Sequence, residues 1–129
     1  MGLKNYRELD AWQKAMDLVE SVYRLTAVFP PHERYGLAGQ AQRAAVSIPA
    51  NIAEGYGRIH RGDYLHHLSI SSGSLAELET HLTIAVRLNY VPREDAVETW
   101  GHVRETGKLL TKLMQSLDAK QKPSRPKKT

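Results

Sequence analysis

The sequence predicts an all-α protein, an up-down four-helix bundle, on three observations. Four stretches repeat their apolar residues at alternating steps of three and four, no stretch alternates apolar and polar residues with the period of a strand, and the links between the four are short. The 129 residues make one domain, long enough to bury a core without staples. We expect the bundle over residues 1–117 and a disordered, Lys/Arg-rich tail over 118–129.

The first helix is "LDAWQKAMDLVESVYRLTAVF", where Leu9, Trp12, Met16, Val19, Tyr23 and Thr26 form the expected seam. Asp10, Lys14, Asp17, Glu20 and Arg24 fill its other faces. Pro30 and Pro31 stop it, because a proline disfavours a helical residue before it.

The second helix is expected from about Tyr35 to Tyr56, with Leu37, Ala41, Ala45, Ile48 and Ile52 on one side. Small residues crowd it, among them Ala38, Gly39, Ala44, Ala50, Ala53 and Gly55, so it reads as the most enclosed of the four. Pro49 stands in its interior, at a cost of roughly 3 kcal/mol, and predicts a kink. Gly55 and Gly57 in "EGYGR" mark its end.

In the third, "DYLHHLSISSGSLAELETHLTIAVRLNY", Leu68, Leu75 and Leu82 lie seven apart with Ser71, Leu78 and Ala85 between them, a heptad seam. Asp63 is the expected cap, and Gly73 with its flanking serines predicts a close helix crossing. The fourth opens at "VPRED", with Pro92 suited to a first turn and Glu94 and Asp95 favourable at the positive end of the dipole. Trp100, Val103, Gly107, Leu110, Met114 and Leu117 continue its seam.

Charge narrows the function. Residues 118–129 hold five of the 18 Lys and Arg and one of the 14 Asp and Glu, which leaves 13 against 13 and a formally neutral body. The net charge of +4 therefore belongs to the tail, which reads either as a solubilising end or as a nucleic-acid arm. With no cysteine, disulfides and thiolate chemistry are excluded. No window approaches the ~18 apolar residues of a membrane span, and "MGLKNYRELD" lacks a signal peptide's apolar core, so the expected location is the cytoplasm.

"FPPHERYGLAGQAQRAAVSIPANIAEGYGR", followed by "SGSLAELETHL" and "RLNYV", closely resembles the four-helix-bundle family named for the 23S ribosomal RNA intervening-sequence protein. Accessory proteins of diversity-generating retroelements, which assist a reverse transcriptase, are related to that family. The resemblance covers about residues 5–117. It implies bacterial bundles that assemble into homopentameric rings without catalytic residues, and, in the retroelement branch, binding of a polymerase and its RNA.

Two constellations are candidates for a site. Arg43, Ser47, Asn51 and Glu54 recur at helical spacing as a polar stripe, which we read as a structural network fixing helix register. The second is basic: residues 34–67 carry four Arg and three His against Glu54 and Asp63. Arg58, Arg61, His66 and His67, with Lys120, Lys122, Arg125, Lys127 and Lys128 of the tail, are the expected nucleic-acid contacts. Neither His60, Asp63 and His67 nor Glu77 and His81 make a three-ligand metal set, and no nucleophile triad or phosphate-cradling loop is present. No enzyme activity, cofactor or metal is expected.

Overall fold

A computed structural model describes residues 5–121, with side chains through Asp118. Four helices make the fold: α1 (Asp10–Thr26), α2 (Leu37–Tyr56), α3 (Arg61–Arg87) and α4 (Arg93–Gln121). Short 3-10 turns at Tyr6–Glu8 and Pro31–Glu33 precede α1 and α2. Each helix packs on two neighbours, α1 and α3 each on both α2 and α4, and the diagonal pairs stay apart. The order is antiparallel throughout: Ser47 meets Ser74 while Asn51 meets His67, so α3 rises as α2 falls. The expected bundle is the observed one.

The core draws on every helix, with Leu18 and Val22, Ile48 and Ile52, Leu68, Leu78 and Leu82, and Leu110 all fully enclosed. On α3 the heptad seam is as expected, and Leu68, Ser71, Leu75, Leu78, Leu82 and Ala85 are all buried. α2 buries nine of its twenty residues, Pro49 among them, and runs unbroken through that proline. Each fully buried Leu or Ile side chain contributes about 1.5–3 kcal/mol of transfer free energy.

α1 departs from expectation. Its buried line is Ala11, Ala15, Leu18, Ser21, Val22 and Leu25; of the expected seam Leu9 and Thr26 are buried, Trp12 and Val19 half-buried, and Met16 and Tyr23 exposed. The alanines let the neighbouring helices close in, and that pushes the bulkier side chains one step round to the flank. α4 shifts likewise: Ala96, Thr99, Val103, Thr106 and Leu110 are buried, and Trp100, Gly107, Met114 and Leu117 sit at its margin. One pair of buried hydroxyls is satisfied across the α1–α4 interface, where Ser21 Oγ and Thr99 Oγ1 are 2.7 Å apart.

Three further expectations are corrected. Gly73 is exposed and a Cβ there meets nothing within 4 Å, so no helix crosses at it. Close approach falls at Gly55, where a Cβ would come within 2.8 Å of the His67 Cβ and 3.0 Å of Tyr64 Cδ1. Asp63 does not cap α3: the N-cap is His60, with no side-chain cap, and Asp63 lies in the first turn. The helical chain also continues past 117, because α4 carries 118–121 in helix, and residues 122–129 lie outside the described residues.

The links are built by side chains as much as by backbone. Glu33 Oε1 accepts from the Leu37 amide at 2.8 Å, capping α2, and Glu33 Oε2 accepts from Tyr90 Oη at 2.7 Å. A Cβ at Gly36 would run into that carboxylate, which is why glycine stands there. α3 ends with Asn89 in the left-handed region at φ 63°, the Tyr90 amide donating to Ala85 O and the Asn89 amide to Val86 O. That pair of bonds is a Schellman cap. It aims Tyr90 at Glu33 and sets its ring 5.9 Å from that of Phe29, tilted by 51°.

Candidate functional site

Two features of the α2–α3 pair stand out: a polar seam along their interface and a cationic end where they join. The seam begins with spacing. His67, Ser71 and Ser74 recur at four and three residues on one face of α3, opposite Ser47, Ile48 and Asn51. Asn51 Nδ2 donates to Ser47 O at 3.0 Å and to Ser47 Oγ at 3.1 Å, and Asn51 Oδ1 lies 2.9 Å from His67 Nδ1. Ser74 Oγ donates to Ser47 Oγ at 2.9 Å, and Ser71 Oγ, fully buried, donates to Ile48 O at 2.8 Å. That carbonyl immediately precedes Pro49.

Of the polar stripe, then, Ser47 and Asn51 enter the seam, and Arg43 and Glu54 stay at the surface. Glu54 pairs instead with Arg58 at 2.7 Å, one turn on, with both side chains about half exposed. Such a pair contributes a few tenths of a kcal/mol, about 0.3–0.5 for a helical i to i+4 pair. The members that sequence reasoning missed are His67 and Ser74, and Ser71, expected in the heptad seam of α3, also hydrogen-bonds to α2; their four-three spacing was the available signal.

The cationic end gathers around the α2–α3 turn. Arg58, His60, Arg61 and His66 are all exposed, and among the described residues Arg61 and His66 form no ion pair. Arg61 is the first residue of an α3 that has no side-chain cap, so its charge adds to the positive end of the helix dipole. Ile59 projects between them, 94% exposed. His67 is half-buried in the seam. Beneath the turn, the rings of Tyr56 and Tyr64 meet edge to face at 6.0 Å. The Tyr64 hydroxyl is buried without a hydrogen-bond partner, and burial pushes its pKa up to about 12.

Topology brings the end of α4 to this same place. Ser72 of α3 contacts Met114 of α4, and the helices are antiparallel, so seven further residues carry Gln121 to the level of the first turns of α3. Lys120 lies in that last helical stretch; Lys122, Arg125, Lys127 and Lys128 lie outside the described residues. Among the described residues no three His, Asp or Glu side chains gather as a metal site, and no helix is long and apolar enough to cross a membrane.

The fold and this site define a helical bundle whose second and third helices are stitched by hydrogen bonds, with Arg58 and Arg61 beside exposed histidines at the end where the two join. The chain belongs to the family of the 23S rRNA-intervening sequence protein, whose profile matches residues 7–112. A crystal structure of a protein of unknown function from the S23 ribosomal protein family, from Bacteroides thetaiotaomicron VPI-5482, has the same fold. It superposes with a TM-score of 0.74 at 24% identity, over 81% of this chain and 97% of that one. No curated protein matches the chain.

Proposed function

We propose that the protein is a non-enzymatic, homo-oligomeric bundle that binds structured RNA, alone or in a nucleoprotein, through its cationic end. One observation carries the reading: the antiparallel order sets Arg58, Arg61 and His66 at the end toward which α4 runs before the chain continues into Lys122, Arg125, Lys127 and Lys128. Arg58 and Arg61 at that end suit a phosphate backbone, and the Lys/Arg-rich sequence that follows α4 supplies further cations. His67, held by Asn51, positions the turn. Family membership supports a ribosomal RNA context in the bacterial cytoplasm, and the family resemblance supports a pentameric ring. Val46 and Ile70, exposed on α2 and α3, are available to such an assembly.

A second reading has its own observation. The body outside residues 118–129 is formally neutral, which favours a scaffold that engages only a protein, such as a reverse transcriptase of a diversity-generating retroelement.

Light scattering of the protein with a structured bacterial RNA, at two salt concentrations, separates them. RNA-dependent mass that falls with salt, and that falls again on deletion of 118–129, is the expected result. A mass indifferent to RNA overturns the first reading in favour of the scaffold, and a monomer overturns the oligomer.

A further inference from the structure

The interface between α3 and α4 carries a feature that the cationic end does not explain. A groove of about 770 Å³ runs between these helices, floored by Leu75, Val86, Trp100 and Val103. It reaches the core at Gly107, where a Cβ would meet Leu75 Cδ2 at 3.3 Å. Arg87, Arg93 and Arg104 stand on its walls, against Glu79 alone. None of the three arginines forms an ion pair among the described residues. Arg93 lies over the Trp100 ring at 5.5 Å, holding guanidinium and indole together at the mouth. Arg93 also opens α4, where the helix dipole disfavours a cation. A surface with three arginines outside any ion pair among the described residues, one of them over an indole, beside an apolar trough is arranged for something outside the bundle.

We propose that this groove docks an acidic amphipathic helix of a partner protein. A third helix laid between two antiparallel ones places its apolar stripe on the trough and its flanks on the walls. Arg93 and Arg104 are eleven residues apart on α4, about 16 Å along its axis, so they match carboxylates three turns apart on the incoming helix. Charge complementarity selects this occupant over the chain's own tail, whose lysines and arginines would meet like charge. The proposal goes beyond the RNA reading and stands on residues that reading does not use.

The test uses the full-length protein and a labelled synthetic helix, leucine at i, i+3, i+4 and i+7 with glutamate on both flanks, followed by fluorescence anisotropy. A lysine-flanked twin serves as the second probe. The glutamate helix is expected to bind and to shift the Trp100 indole resonance, and the lysine helix is expected not to. Arg93→Glu with Arg104→Glu, both at exposed positions, should weaken binding by roughly tenfold or more. Gly107→Leu, which fills the trough without changing charge, should do the same. Binding that survives both variants would place the peptide elsewhere, for instance on the basic tail, and overturn the proposal. A fall in the native mass of the charge-reversed protein would assign the groove to a second copy, and displacement of the peptide by RNA would assign its arginines to nucleic acid; either result also overturns it.

Discussion

Tyr90 Oη donates to Glu33 Oε2 at 2.7 Å, while the other oxygen of the same carboxylate accepts from the Leu37 amide. One side chain thus caps α2 and ties it to the α3–α4 link 57 residues away. These hydrogen bonds, with a smaller contribution from His32, hold the Glu33 carboxyl below its ordinary value of 4.5. A carboxylate with a lowered folded pKa contributes stability that is full above pH 4.5 and lost as pH falls through the folded value. The melting-temperature gap between wild type and Glu33→Gln should therefore be widest at neutral pH and close on acidification. A gap independent of pH would show that the charge on Glu33 is immaterial.

The polar seam predicts a non-additive pair. Asn51→Leu leaves His67 Nδ1 without its partner in a half-buried interface, while Ser47 Oγ keeps the Ser74 hydroxyl, and the orphaned imidazole costs about 1–3 kcal/mol. His67→Leu in the same chain should recover much of that loss, since replacing both partners by apolar groups removes the desolvation penalty. Urea unfolding of the two single variants and the double variant measures the coupling, and light scattering shows whether assembly follows stability. Unchanged melting with unchanged mass in Asn51→Leu would refute a structural role.

Two glycines should respond in opposite directions to alanine. At Gly55 the new methyl group meets the His67 Cβ and the Tyr64 backbone oxygen, the latter at 3.2 Å, so overpacking should destabilise by about 1–3 kcal/mol. At Gly73 it meets open space inside a helix, and Gly73→Ala should stabilise by up to ~1 kcal/mol. Thermal denaturation of the two variants side by side decides both.

Alkaline titration should single out Tyr64. Its folded pKa is raised to about 12 from an ordinary 10 by burial and by the neighbouring Tyr56. The stability linked to it is full below pH 10 and lost as pH rises toward 12, because the buried phenol resists ionisation that the unfolded chain accepts. Tyrosinate absorbance should show a late component that Tyr64→Phe removes. Loss of a component near pH 10 instead would mean that Tyr64 is solvated.

Helix number, order and most of α3 were legible because their signals are local: a heptad reads the same before and after packing. The seam of α1 was not, since Trp12 and Tyr23 draw attention by bulk, whereas Ala11 and Ala15 decide how near the neighbouring helices come. Gly73 misled for a related reason, because a glycine signals closeness only when a neighbour occupies the space. The stripe was half legible: Ser47 and Asn51 needed His67 and Ser74 to complete it, and that pairing depends on where α3 docks. The cap supplied by Glu33 and the trough beside Trp100 both join residues from distant segments, and no periodicity announces such meetings.

The stitched α2–α3 pair also bears on the order of folding. Its hydrogen bonds are directional and span a turn of four residues, 57–60, so sliding α3 by one helical turn would break them together. A hairpin with a single acceptable alignment and short loop closure is suited to form ahead of the rest. We expect α2 and α3 to be largely native in the folding transition state, with α1 and α4 docking afterwards. In chevron experiments Asn51→Leu should then slow refolding by most of its equilibrium effect, whereas Ser21→Ala, across the α1–α4 contact, should chiefly speed unfolding.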